Sequence, residues 1–239
     1  MTADNPILNP EEFIQWKKSM GQVKMTVVPR RVIFIPESLH SRRIKWSGSS
    51  LKGVGACLTC TSKETGTYVA SKWGVGAPAL LSVSELLRGL GATHFVLLGF
   101  AGHLNSPSSP NRVYYASSAH SEVGTSFHYA PEGELLFQPT TDLVKLATEE
   151  LSLKGAKLIS TDAPFRETLS KYTHWKSLGA EMIDMEIAAL YSFAAFYQLS
   201  AIGIVAGADY ITPSGWRPPE SLAQSVSNLK SILHKLLAT

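Results

Sequence analysis

Hydrophobic and polar positions fall into short blocks that predict strands and helices in alternation. Apolar runs of roughly four to eight residues are typical of buried strands, and repeats of three or four residues are typical of amphipathic helices. The predicted strands cover residues 31–35, 53–61, 67–73, 94–98, 112–118, 157–160 and 200–208. The predicted helices cover residues 10–20, 79–90, 140–153, 184–197 and 222–236. This alternation favours a three-layer α/β domain.

The helix predicted over residues 184–197 is apolar around most of its circumference, so we expect it to be buried on most sides. Glu186 lies in the first turn of this helix as the pattern defines it. One interpretation is a favourable placement of its charge near the helix N-terminal amides. The other is a carboxylate that faces a ligand, because a buried charge without a partner is costly. The pattern leaves both interpretations open.

Asp209 directly follows the strand predicted over residues 200–208. In open α/β sheets, ligands bind outside the carboxyl ends of the strands. An Asp at this position is therefore a candidate acid or base. The alternative is an ordinary turn or capping Asp.

The composition bounds the class of protein. The chain has 239 residues, of which 44% are hydrophobic and 17% charged, as expected for a soluble globular protein. Its net charge of +3 is too small to suggest a nucleic-acid partner. No apolar run reaches the length of a membrane span, and the first residues do not resemble a signal peptide. We therefore expect a cytoplasmic protein with neither a membrane nor a nucleic-acid partner.

The two cysteines, Cys57 and Cys60, form a CxxC pair, but a structural zinc site needs about four ligands and there is no second pair. Redox CxxC pairs open helices, whereas this pair lies in a predicted strand. A structural role is the expectation, and no metal site is predicted.

The run AEMIDMEIAAL over residues 180–190 resembles the MExxA signature of the nucleoside phosphorylase family. That family includes purine nucleoside phosphorylases, uridine phosphorylases and methylthioadenosine/S-adenosylhomocysteine nucleosidases. A Gly-x-Gly-x-Pro loop at residues 74–78 and a Gly-x-Ala-Gly loop at residues 99–102 follow the family's order. The resemblance implies one domain over residues 1–239, with an α/β/α architecture and a mixed, partly barrelled central sheet.

The resemblance also implies residue roles in cleaving a nucleoside N-glycosidic bond. Glu186 binds the ribose hydroxyls and Met185 packs against the sugar. Asp209 donates a proton to the leaving purine. Phe165 stacks on the base, and Arg166 is a candidate donor to a base carbonyl. This chemistry needs neither a metal nor an organic cofactor.

The residues that correspond to the family's phosphate site depart from the family pattern. Glu37 stands where the family has Gly, Leu97 where it has Arg, and Phe100 where it has Thr or Ser. Hydrophobic side chains cannot donate hydrogen bonds to an anion. The candidate residues for a phosphate or water site are Gly76, Arg42, Gly99 and Phe100.

Three hypotheses follow for the reaction. The first is phosphorolysis with a rebuilt phosphate site that uses Arg42, Arg43 or a partner subunit. The second is hydrolysis, with water at that place. The third is a non-catalytic member that binds a nucleoside or only keeps the fold. Asp209 favours a purine, whereas residues 124–129 and Arg166 resemble the uridine phosphorylase side. A homo-oligomer is also implied.

Overall fold

The computed structural model describes residues 6–23, 27–39, 48–51, 56–105, 111–219 and 221–238. Within them the helices are α1 (Pro10–Ser19), α2 (Ala77–Gly89), α3 (Thr141–Lys145), α4 (Leu169–Ser177), α5 (Ile187–Tyr197) and α6 (Leu222–Leu236). The strands are β1 (Arg31–Phe34), β2 (Gly48–Leu51), β3 (Ala56–Ser62), β4 (Thr67–Ser71), β5 (His94–His103), β6 (Val113–Glu122), β7 (Leu136–Phe137), β8 (Lys154–Thr161), β9 (Met182–Asp184), β10 (Ser200–Thr212) and β11 (Gly215–Arg217). A wide helical turn, Leu146–Glu150, continues α3.

The strands form one mixed sheet in the order β11-β10-β6-β8-β9-β5-β1-β4-β3-β2, with β7 beside β6. Strand β10 also pairs with β5, in parallel. Strands β5, β10, β6, β8 and β9 therefore close into a ring, while β1, β4, β3 and β2 extend from it as an open sheet. The predicted mixed, partly barrelled sheet is confirmed.

Helices cover both faces of the sheet. Successive residues of a strand point to opposite sides, so the apolar central strands have two apolar faces that must be buried. On β5, Phe95 and Leu97 join a core with α2 and α5. Val96 and Leu98 join a second core with α3 and α6. The predicted three-layer architecture is thus confirmed.

The helix predicted over residues 184–197 begins later than the pattern indicates. Residues Met182–Asp184 form strand β9, and α5 begins at Ile187. Glu186 is the residue that precedes the helix, so its expected place in the first turn is corrected. The reason is tertiary, because β9 pairs with β8 and β5, which are distant in the sequence.

Strand β10 is longer than predicted, and Asp209 lies inside it rather than after it. The register of β10 on β5 shifts between Gly207 and Tyr210, so Asp209 occupies an irregularity of the strand. The strand continues because Tyr210 pairs with Arg217 of β11 in a hairpin. Bulges of this kind redirect a side chain.

The amphipathic pattern of residues 10–20 predicts that Phe13 and Trp16 face inward from α1. This expectation is corrected for Trp16, which is largely exposed, whereas Ile14 is buried. Cys57 and Cys60 lie in β3, as the strand prediction implied, and both are free thiols. None of the helices in the described part of the chain is long and apolar enough to cross a membrane.

Candidate active site

A cavity of about 1060 Å³ opens where β1, β4, β5 and β10 end. These four strands are mutually parallel, and the cavity lies at their carboxyl ends. This is the edge at which α/β sheets bind ligands. Six of the nine residues that the sequence analysis proposed for the site line it: Gly99, Phe100, Phe165, Met185, Glu186 and Asp209.

Glu186 is held in the cavity wall by a residue from a distant loop. The backbone N–H of Gly76 donates to Oε1 of Glu186 at 2.6 Å. Gly76 has φ of 86°, a left-handed conformation that glycine adopts without a steric penalty. Gly76 is not itself among the cavity-lining residues. Gly76 therefore contributes to the cavity by holding the carboxylate of Glu186 in place.

Asp184, which sequence reasoning did not single out, fixes the backbone around Glu186. Its Oδ2 accepts the backbone N–H groups of Glu186 at 2.9 Å and Ile187 at 2.7 Å. The hydroxyl of Ser160 donates to Oδ1 at 2.5 Å and accepts the N–H of Ala188 at 2.9 Å. Asp184 therefore caps α5 from strand β9. The motif DME carried this signal, because Asp is a favoured N-terminal capping residue.

Burial, the larger cause, and the nearby charge of Asp184 together raise the pKa of Glu186 to about 7. The hydrogen bond from Gly76 opposes this shift. Burial likewise raises the pKa of Asp184, against the hydrogen bonds from Ser160 and the backbone. Two carboxylates separated by one residue are thus held in a poorly solvated wall, where they bind hydroxyl groups more strongly than in water.

Asp209 faces the cavity from the irregular part of β10. The indole N–H of Trp216, on β11, donates to Oδ2 of Asp209 at 2.6 Å. Oδ1 lies 2.7 Å from the position that a Cβ on Gly102 would occupy. The absent side chain at Gly102 therefore leaves the space in which Asp209 sits. The hairpin partner and this glycine together set the direction of the carboxylate.

Glu167 is a cavity-lining acid that the sequence analysis missed. Burial, the larger cause, and the charge of Asp209 together raise its pKa to about 7, although the charge of Lys171 opposes them. Nothing in the local pattern distinguishes Glu167 from other loop acids. Its proximity to Phe165 in the predicted base loop is the one available signal.

Comparison with known proteins shows the family to which this chain belongs. Residues 49–238 match the family model of the phosphorylase superfamily. The chain belongs to the phosphorylase superfamily. It is similar to the DeoD-type purine nucleoside phosphorylase of Clostridium perfringens, with 27% identity over 208 residues, 80% of this chain and 84% of that protein. The corresponding enzyme of Brevibacillus brevis is 29% identical over 160 residues, 62% of this chain and 67% of that protein.

Solved structures show the same fold at low identity. Purine nucleoside phosphorylase from Toxoplasma gondii superposes with a TM-score of 0.66 at 18% identity, covering 90% of this chain and 96% of that chain. Native futalosine hydrolase of Helicobacter pylori superposes with a TM-score of 0.69 at 14% identity, covering 88% and 98%. Phosphorylases and hydrolases therefore share the architecture of this superfamily member.

The base loop of this superfamily member brings one of its two predicted residues to the cavity. Phe165 lines the cavity but is 100% exposed in the free chain. Its place is therefore at the mouth, where a bound base would cover it. Arg166 is exposed and is not among the lining residues. Base binding by these residues stays a prediction.

The residues that depart from the family pattern also line the cavity. Glu37, Leu97 and Phe100 all line it. Phe100 is half-buried and packs on the core formed with α3 and α6. Arg42 and Arg43, the cations that the sequence offered as replacement phosphate ligands, lie outside the described residues.

Proposed function

We propose that this chain cleaves the N-glycosidic bond of a purine nucleoside. The observation that carries the proposal is that Glu186 and Asp209, assigned to ribose and base by resemblance, line one cavity. They come from different elements, the start of α5 and the irregular part of β10. Superfamily membership supports the reaction class, and the DeoD-type relatives support the purine.

The mechanism assigns one task to each carboxyl group. Glu186 accepts hydrogen bonds from the 2′- and 3′-hydroxyls and fixes the sugar, with Met185 against it. Asp209 donates a proton to the purine ring as the C1′–N9 bond breaks and the electron pair of that bond passes to the base. The sugar develops oxocarbenium character, which the nearby carboxylate of Glu186 stabilises.

The acceptor is the molecule that takes the sugar from the base. Phosphate is the first candidate for it, and the reaction is then phosphorolysis to free base and ribose 1-phosphate. The two described relatives are purine nucleoside phosphorylases, which supports this choice. The glycine loop borders the cavity through Gly74 and gives an anion access to the backbone there. The base-binding role of Phe165, the homo-oligomer and the cytoplasmic location belong to the same proposal.

Hydrolysis is the second candidate, and Glu37 favours it. A carboxylate at the acceptor end repels phosphate but can accept a proton from an attacking water. Leu97 and Phe100, at the same end, offer phosphate no hydrogen-bond donor from their side chains.

The deciding experiment measures free base released from adenosine, inosine, guanosine, uridine and methylthioadenosine, with and without phosphate. Release from purine nucleosides that requires phosphate is the expected result. Release indifferent to phosphate replaces phosphorolysis with hydrolysis. Glu186→Ala is the control and abolishes release and nucleoside binding. If no substrate reacts while calorimetry detects nucleoside binding, the enzymatic proposal is wrong and the chain is a binding protein.

A further inference from the structure

We infer that Lys72 is the cation of the acceptor site and binds inorganic phosphate in the cavity. The inference rests on the proposed phosphorolysis and names the residue that replaces the missing Arg. Lys72 directly follows β4 and lines the cavity. It was not singled out in the sequence, where it falls inside the strand predicted over residues 67–73.

The position of Lys72 in the sheet places it at the acceptor end. Strands β1 and β4 are neighbouring and parallel, and the N–H of Ile35 donates to the carbonyl of Ala70 at 2.9 Å. Glu37 and Lys72 each follow that hydrogen-bonded pair by two residues. They therefore leave the same edge of the sheet side by side, and both line the cavity.

The backbone of Lys72 is in a conformation that side-chain-bearing residues rarely adopt. Its φ is 56°, in the left-handed region. The neighbours on both sides are fixed: Ser71 pairs with Cys57 across the sheet, and the indole of Trp73 donates to the carbonyl of Ile35 at 3.1 Å. Glycine would occupy this position without strain, yet the chain has lysine there. Outliers of this kind cluster at ligand sites.

The charge balance of the cavity explains what the lysine does. Five acidic residues line it: Glu37, Glu167, Asp184, Glu186 and Asp209. Among the described lining residues Lys72 is the single cation. No ion pair within 4.0 Å is formed by Lys72 in the part of the chain that the structure describes. Its ammonium group is thus available to offset Glu37 and to attract an anion into an otherwise acidic cavity.

The loop that begins at Lys72 also joins the acceptor site to the ribose site. Four residues later Gly76 donates its N–H to Glu186. Gly74, between them, has φ of 103°. A phosphate held by Lys72 would lie next to the sugar held by Glu186. Attack at C1′ forms the new C1′–O bond from a phosphate oxygen as the C1′–N9 bond breaks.

The test compares Lys72→Gly with Gln198→Gly in the full chain. Gln198 has φ of 56° at the end of α5 and is not among the cavity-lining residues, so it is a matched backbone control. Both variants shift Tm by a similar small amount, because each replaces a left-handed residue by glycine. Only Lys72→Gly raises KM for phosphate, by about tenfold or more, the loss expected for one hydrogen bond to a charged group.

Two further measurements separate the possible failures. Lys72→Arg keeps KM for phosphate within about threefold of the wild type, because the charge and donors are retained. An unchanged KM for phosphate in Lys72→Gly overturns the inference while phosphorolysis stands. If base release ignores phosphate, phosphorolysis itself fails, and calorimetry with inorganic phosphate decides the rest. If the wild type binds phosphate and Lys72→Gly does not, Lys72 still belongs to an anion site. If the wild type does not bind phosphate, the inference is overturned.

Discussion

The backbone N–H of Gly76 donates a hydrogen bond of 2.6 Å to Oε1 of Glu186, across 110 residues of sequence. Gly76 precedes α2 and Glu186 precedes α5, so the contact joins the starts of two helices. The glycine loop and the MExxA run, which the sequence shows as separate motifs, are thus parts of one structure. The orientation of Glu186, the residue proposed to bind the ribose, depends on both.

Replacing Glu186 by Gln is expected to stabilise the protein at alkaline pH and to abolish nucleoside cleavage. The folded-state pKa of Glu186 is raised to about 7, so folding disfavours its charged form. The cost is absent below the unfolded pKa of about 4.5, grows as the pH rises to about 7 and is complete above that. Glu186→Gln should therefore gain on the order of 1–3 kcal/mol at pH 8 and nothing at pH 4.

Urea unfolding at the two pH values measures this difference. Glu149→Gln, which removes an exposed carboxylate, is the control and should change little at either pH. A stabilisation of Glu186→Gln that is equal at pH 4 and pH 8 would contradict burial of the charge as its cause.

Asp209→Asn should lower kcat for purine nucleosides by about 10²- to 10⁴-fold, the usual contribution of a general acid. The amide cannot protonate the leaving base. Activity on 4-nitrophenyl riboside should persist, because nitrophenolate leaves without a proton. Equal losses on both substrates would show that Asp209 supports structure instead.

Trp216→Phe is the companion variant, because it removes the indole N–H donated to Oδ2 but keeps the carboxyl group. The expected loss in kcat is within about tenfold, the value of one hydrogen bond. Steady-state kinetics with inosine measure it, and a loss as large as that of Asp209→Asn would assign Trp216 a larger part in the reaction.

Gly102→Ala should misplace Asp209. The added methyl group would meet Oδ1 of Asp209 at 2.7 Å and Cγ2 of Ile183 at 3.2 Å, so the carboxylate must move. A displacement near 1 Å costs roughly 10²-fold in kcat. Gly124→Ala, whose methyl group meets Asp162 at an ordinary 3.7 Å, is the control. If the kcat of Gly102→Ala equals that of the control, Asp209 is not positioned by this contact.

The pKa of Glu167 should fall when Asp209 is replaced by Asn. Burial, the larger cause, and the charge of Asp209 together raise this pKa to about 7. Removing that charge leaves burial, the larger cause, opposed by the charge of Lys171, so the pKa moves down but stays above its ordinary value. Carboxyl ¹³C NMR titration of the wild type and Asp209→Asn measures the shift. An unchanged pKa would mean that the two carboxyl groups do not interact.

The alternation of apolar blocks was enough to predict a three-layer α/β domain, because strand and helix periodicities report which faces are buried. The predicted C-terminal helix over residues 222–236 coincides with α6. Glu186 and Asp209 could also be singled out, since a carboxylate within or directly after an apolar run is unusual wherever it occurs.

Tertiary structure alone decided how these residues meet. Strand β9 and the irregularity at Asp209 arise from pairing with distant strands, which local periodicity does not encode. Asp184 caps α5 and is itself held by Ser160 of β8. Lys72 can be recognised as a candidate ligand only from its left-handed backbone and its position in an acidic cavity. The periodicity of the sequence predicted the buried faces of most strands and helices. The closed sheet determined which side chains share one cavity, because that depends on contacts between residues far apart in the chain.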